Sequence, residues 1–347
     1  MFADLLFHSL RIFRVGAILL FLLPTLVWSA GFDDDFPASP RAAKAPPGID
    51  WSRNILYLIL DGELELYSEQ VLLDLDGPIT TADNYRFVSH LLQQARGRID
   101  RAPSDRTGAI ETLLVIHELL SESGFSYRDY SSWEYRLLGF GLLNHGLARR
   151  EIDCAMYVYL YLGIAEHLGL PLVGLDLPEH ITLRWRLPDG FYFNWEATLP
   201  AVRDDDFYRD WKQFSPQTIS SGVYLRPLAK PEILASAFYA KSLVFFERGE
   251  LTRATTAVDR TLALYPRHPD AHNLKGLLLD QEGDFLGALC QFDRAIDLDA
   301  GFAQAYFNRA KTRLTLGETE AVGLDLSELQ RLDPDLGNVL RHLQRQD

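Results

Sequence analysis

The chain has 347 residues, 47% of them apolar and 24% charged, which is ordinary for a folded protein and not for a disordered one. At ~100–200 residues per domain the length predicts two or three domains. A formal net charge of −14 argues against nucleic acid as a main partner, and two cysteines exclude a disulfide framework or a four-thiolate zinc site.

Residues 1–30 have the pattern of a targeting segment. Arg11 and Arg14 precede the apolar run Val15–Trp28, and the small residues Ser29, Ala30 and Gly31 follow it. That order predicts a secretory signal peptide, hence a periplasmic or secreted protein. The apolar run is shorter than the ~20 residues a spanning helix needs. The alternative is an uncleaved anchor, and membrane contact is expected only through it. Residues 31–50 join an Asp triplet, Asp33–Asp35, to four prolines and read as a linker.

From Trp51 the apolar spacing becomes helical. Ile55, Leu56, Ile59 and Leu60 suggest one short helix and Val71–Leu75 another. Longer helices are predicted over Asn84–Arg96 and over Ala109–Glu122, the second closed by Gly124.

Asp153 precedes the apolar run Cys154–Leu168, and Gly169 with Pro171 stops it, so this helix is capped by Asp153 and starts on a thiol. Tyr157, Tyr161, Ile164 and Leu168 cover one face and Val158, Leu162 and Ala165 another, which predicts burial. The helix dipole and free N–H groups favour a Cys154 thiolate, Asp153 opposes it, and a nearby base is still required. Strands are predicted at Leu172–Leu175, His180–Leu187 and Phe191–Thr198, the last two joined by a turn at Pro188–Gly190. A three-residue loop sets Thr198 opposite His180, Glu196 opposite Thr182 and Asn194 opposite Arg184. Glu196 can then approach His180 along a diagonal of ~7–8 Å, and Asn194 lies further along the strand. A thiol at a helix start, a histidine on a strand and a polar residue on the next strand form a Cys–His–orienter arrangement, in which the histidine takes the thiol proton.

Residues 201–234 read as a connector. Asp204–Asp206 lacks the glycine loop and closing glutamate of a calcium site and reads as a solvated charge run. Beyond it Gly249, Gly283 and Gly317 are 34 residues apart. Ser242, Gly276 and Ala310 recur in a first helix, Ala254, Ala288 and Val322 in a second, and Pro266 and Pro334 close two copies. This is the tetratricopeptide pattern, three copies over 235–337, followed by a tail at 338–347. Cys290 falls mid-helix and reads as a small packed residue; His167, beside Glu166, reads as structural.

Several of these segments carry a resemblance. Gly124-Phe125 with Tyr127 and Tyr130, the run Arg149–Cys154, Ile164–Leu170, His180 before a strand, and Glu196-Ala197-Thr198 are similar to the transglutaminase-like core, a papain-like cysteine fold. That family usually has Asp-Pro-Thr where this chain has Glu196-Ala197-Thr198. The resemblance implies Cys154 as nucleophile, His180 as base and Glu196 as orienter, with Asn194 the alternative because papain-like sites also use Asn. Such a core followed by tetratricopeptide repeats resembles a recurring bacterial arrangement, in which Gly222–Pro227 resembles the joining segment. The expected fold is α+β: a papain/transglutaminase-like core of helices plus a small antiparallel sheet, with its helical lead-in over 51–200, then an all-α tetratricopeptide repeat solenoid. The expected function is an exported cysteine hydrolase or acyltransferase acting on amide bonds, with a protein or peptide in the repeat groove. The alternative is a non-catalytic adaptor that retains the core as a platform. No cofactor and no metal is implied.

Overall fold

Among the described residues, helical spacing in the first third becomes three helices, α1 (Ile55–Leu66), α2 (Thr81–Arg98) and α3 (Arg106–Glu122). The computed structural model describes residues 49–66, 81–129 and 142–345, so the targeting segment, the Val71–Leu75 helix and Tyr130 lie outside it. Asp105 caps α3 by accepting from the Gly108 N–H at 2.9 Å, and Gly124, at φ +87°, takes the left-handed turn beyond its end. A two-stranded parallel pair, β1 (Ser126–Tyr127) with β2 (Glu151–Ile152), brackets α4 (Leu143–Arg149). The buried Glu63 carboxyl of α1 accepts from the Leu143 and Asn144 N–H groups at 2.7 and 2.9 Å, satisfying donors that the start of α4 leaves free.

Helix α5 (Cys154–Leu168) has the predicted bounds and is buried continuously from Met156 to Ala165. Its apolar circumference needs cover on several sides. Helices α1 and α2 pack on it, as does a four-stranded antiparallel sheet in the order β3 (Leu172–Leu177), β4 (His180–Arg186), β5 (Tyr192–Glu196), β6 (Ala201–Arg203). Arg184 pairs with Asn194 and Leu183 with Trp195, the register that the three-residue loop sets. One sheet face therefore carries Leu183, Trp185, Phe193 and Trp195 into the core, and the other carries Thr182, Arg184, Asn194 and Glu196.

That second face is not solvated. Helix α6 (Asp205–Trp211) lies over it, and Thr182 and Asn194 are both 0% exposed. The Asp204–Asp206 run is correspondingly structural at two of its three positions: Asp204 caps α6 through the Phe207 N–H, and Asp205 pairs with the buried Arg184. Asp206 remains an exposed partner of Arg209. A short helix α7 (Pro216–Ser221) completes the stretch read as a connector.

Seven helices follow in antiparallel succession: α8 (Lys230–Glu247), α9 (Leu251–Leu264), α10 (Pro269–Glu282), α11 (Phe285–Leu298), α12 (Ala303–Thr315), α13 (Thr319–Leu332) and α14 (Pro334–Leu343). Gly249, Gly283 and Gly317 make the three intra-pair turns at φ +72°, +83° and +76°, a conformation that disfavours side chains with a Cβ. Ser242 and Ala310 are fully buried, as are Ala254, Ala288 and Val322. At Gly276 an added Cβ would lie 2.5 Å from the Phe292 ring, so the paired helices approach closely there. The C-terminal part is a tetratricopeptide-like solenoid.

Its last helix runs through the segment read as a tail, because Leu336, Val339, Leu340 and Leu343 form a stripe that caps the final core. Cys290 is exposed rather than packed. The buried stripe of α11 is Ala288, Phe292, Ala295 and Ile296, and Cys290, two residues from Ala288 and Phe292, points away from it. The first repeat is joined to the preceding half: Lys230 donates to the Trp51 carbonyl at 3.0 Å and pairs with Glu166, and the buried Lys241 donates to the Gly62 carbonyl. The described residues are thus mostly helical, with one small antiparallel sheet. No described helix is long and apolar enough to cross a membrane.

Candidate active site

Cys154 occupies the first position of α5, and the Asp153 side chain caps that helix by accepting from the Met156 N–H at 2.9 Å. The N–H groups of Ile181 and Ala155 face the sulfur. Ile181 directly follows His180, so the thiol sits one peptide unit from the backbone of the predicted base. Burial pushes the Cys154 thiol up to about 12, the Asp153 and Glu196 charges push the same way, and the two N–H groups only partly offset them. Desolvation thus outweighs the helix dipole at Cys154, and a base is still required to take its proton. Asp153 itself is pushed up to about 6 by burial, against its hydrogen bonds from the backbone.

His180 opens β4. Its Nε2 lies 2.9 Å from Glu196 Oε2, and Thr198 Oγ1 donates to Glu196 Oε1 at 2.9 Å. The Tyr208 hydroxyl of α6 lies 3.4 Å from Oε2. Burial alone would raise the Glu196 carboxyl, but the hydrogen bonds from His180 and Thr198 hold it below the ordinary carboxylate value. An ionised carboxylate only accepts, so the His180 Nε2 donates to it, and Nδ1 is the ring nitrogen left to take a proton. No hydrogen bond joins Nδ1 to the Cys154 sulfur in this structure. Trp211 meets the imidazole edge-on, with centroids 5.1 Å apart at 73°.

Asn194 is placed elsewhere. Its Oδ1 accepts from Arg184 Nε at 2.8 Å and its Nδ2 donates to Asp205 at 2.7 Å, so its amide holds the sheet to α6 and makes no bond to His180. Glu196 is the residue that the structure sets on the histidine. His167 accepts from Arg96 through its backbone carbonyl at 2.6 Å, away from this cluster. Sequence spacing gave no sign of Tyr208, Trp211 or Lys212, because they reach the site from α6 and its end, in a segment with no motif. Tyr127 on β1 also borders it, within the field of Cys154 and Glu196, and burial pushes its hydroxyl up to about 12.

No protein-family model matches the chain. It is 27% identical over 161 residues to a UPF0162 protein of Xylella fastidiosa (strain Temecula1), covering 45% of this chain and 57% of that one. Protein FlbA of Caulobacter vibrioides is 36% identical over 85 residues, 24% of this chain and 14% of FlbA. Anaphase-promoting complex subunit 3 of Schizosaccharomyces pombe is 26% identical over 104 residues, 30% of this chain and 16% of that subunit. The chain thus spans less than two thirds of each of these relatives. Among solved structures, it is similar to the first tetratricopeptide domain of Spaghetti (RPAP3) bound to the HSP90 peptide SRMEEVD, at 20% identity and a TM-score of 0.30, over 32% of this chain and 90% of that one. It is also similar to the TPR2AB domain of yeast Sti1, at 14% identity and a TM-score of 0.30, over 83% and 96% of the two chains.

Proposed function

We propose that the chain is an exported thiol enzyme of papain-like, transglutaminase-like type that breaks or exchanges an amide bond, with its repeats holding the protein or peptide acted on. One observation carries the reading: an imidazole fixed by Glu196 begins the strand whose next N–H faces the Cys154 sulfur. In the reaction, His180 Nδ1 takes the thiol proton as sulfur attacks the amide carbon. The N–H groups of Ile181 and Ala155 stabilise charge on the sulfur as it is deprotonated. The tetrahedral adduct collapses with the C–N bond breaking, and the imidazolium returns its proton to the leaving amine. Water or a second amine then displaces the acyl group from sulfur. Glu196 holds the tautomer and stabilises the imidazolium throughout. Export rests on the 1–30 sequence pattern, and peptide binding rests on the groove that stacked repeats present.

Hydroxylamine supplies a test that needs no known acceptor. Incubated with pooled peptides and hydroxylamine, the enzyme forms peptide hydroxamates detectable by mass spectrometry, and Cys154→Ala or His180→Ala abolishes them. Hydroxamate formation that survives Cys154→Ala rejects the assignment. The raised thiol and the missing sulfur–imidazole hydrogen bond favour a second reading, an adaptor whose cellular role survives Cys154→Ala and is lost with substitutions in the repeat groove.

A further inference from the structure

A cleft of about 820 Å³ runs from the edge of the thiol site to the repeats. Pro178, Lys212 and Phe214 line it from the sheet and α6 side, and Gly301, Tyr306 and Leu332 line it from the repeats. Pro178 stands two residues before His180, and Lys212 follows Trp211, whose ring packs on the His180 imidazole. The volume lies within the ~300–1,000 Å³ of ligand sites.

The charged groups on its walls are unequally satisfied. Asp299 already accepts from Thr218 Oγ1 at 2.7 Å, the Tyr224 hydroxyl at 3.2 Å and the Gly301 N–H at 2.9 Å. Glu328 and Arg331 pair with each other at 2.8 Å. The Lys212 ammonium makes no hydrogen bond or ion pair with any described residue; its close contact is the Trp211 ring, 4.4 Å from the centroid. Burial lowers its pKa, and the more distant Glu179, Cys154, Asp270 and Glu196 pull it back only in part. Glu196 is held by His180, and Asp270 is pushed up to about 8, chiefly by burial, so it is mainly neutral at pH 7. Glu179 acts on Lys212 only through its field, with no hydrogen bond or ion pair between them, so a partly desolvated cation that no carboxylate contacts lines the cleft and is suited to an incoming carboxylate.

We infer that this cleft takes an extended peptide segment bearing a carboxylate, which Lys212 binds beside the thiol site while the repeats hold the rest of the segment. The inference rests on the thiol-enzyme reading for calling that segment a substrate, but its binding arm stands apart from it.

The test uses full-length Cys154→Ala protein, which binds without turnover, and two fluorescein-labelled decapeptide pools, one with a fixed central Glu and the other with Gln at that position. Fluorescence anisotropy should show the Glu pool binding about tenfold more tightly, as a charge-assisted hydrogen bond implies. Lys212→Met should bring the two pools within about twofold of each other, and Lys212→Arg should keep the preference. Tyr306→Ala should weaken both pools, and melting curves check that each variant is folded. Equal binding of the two pools, or a preference that survives Lys212→Met, overturns the inference. The hydroxylamine assay separates the two ideas. A Lys212-dependent preference without hydroxamate supports the carboxylate site and removes only the enzyme reading. Hydroxamate formed without that preference overturns the site and leaves the enzyme.

Discussion

Replacing Gly163 with alanine sets two opposed effects against each other on the helix that positions Cys154. In a helix interior alanine is favoured over glycine by ~1 kcal/mol, so propensity alone predicts a more stable protein. The structure predicts the reverse. A Cβ at Gly163 would lie 2.4 Å from both Cγ and Cδ1 of Leu56 and 3.2 Å from Asn54 Oδ1. Leu56 is fully buried, and the Gly163 carbonyl accepts from Asn54 Nδ2 at 2.8 Å, so neither α1 nor α5 has free room to yield. Overpacking of this kind costs ~1–3 kcal/mol, which leaves a net loss of about 0–2 kcal/mol once propensity is credited. Urea unfolding of the full chain, followed by tryptophan fluorescence, measures it. Leu56→Ala alone should cost ~2–5 kcal/mol, and the double variant should cost at least ~1 kcal/mol less than the sum, because the new methyl fills the vacated space. A stabilised Gly163→Ala protein, or strict additivity, refutes the packing argument.

Three further outcomes follow from buried charges. The folded Glu196 carboxyl lies below its ordinary 4.5, so its contribution is present above that pH and is lost as pH falls through the folded value. Glu196→Gln should therefore cost about 1–3 kcal/mol at pH 7, and thermal melts should show the gap narrowing below pH 4.5. Asp270 has the opposite sign: burial, with Asp176, Glu179 and Asp299 adding to it, raises it from 3.8 to about 8, so the unfolded chain releases its proton first and stability falls as pH rises between those values. Asp270→Asn should leave melting at pH 4 nearly unchanged and raise it by roughly 2–4 °C at pH 8. In the third repeat, the buried Asp325 accepts from Arg309 at 2.5 Å and Arg313 at 2.8 Å. Asp325→Ala leaves both guanidinium groups without it and should cost about 1–3 kcal/mol in urea unfolding, with Asp293 still holding Arg309.

The 34-residue spacing was readable because repeated helix pairs need small residues at repeated close approaches. The bounds of α5 were readable because Asp153 and Gly169 supply the cap and the stop. The register of β4 on β5 followed from loop length; it set Glu196 nearer His180 but left Asn194 open as the alternative. The Glu196 contact needed only a diagonal reach, whereas the Asn194 amide is held by Arg184 and Asp205. What stayed hidden depends on contacts distant in sequence. Nothing local says that α6 folds over the polar sheet face and turns an apparent surface carboxylate into one 8% exposed. Nor does a helix-start position reveal that desolvation exceeds the dipole at Cys154, since that balance depends on Ile181, Glu196 and the surrounding packing. Cys290 was misplaced for a simpler reason: residue type suggested burial, while its angular position two residues from Ala288 and Phe292 decided exposure.

The pairing of Cys154 with His180 is tested most directly by alkylation kinetics. In a Cys290→Ser background, iodoacetamide modification of Cys154 followed by intact mass from pH 5 to 9 isolates this half-buried thiol. A thiol pushed up to about 12 should react negligibly at neutral pH without a base. The account predicts measurable modification at pH 7 that falls at least about tenfold in His180→Ala, with Glu196→Gln between the two. Equal rates with and without His180, across that pH range, would contradict it.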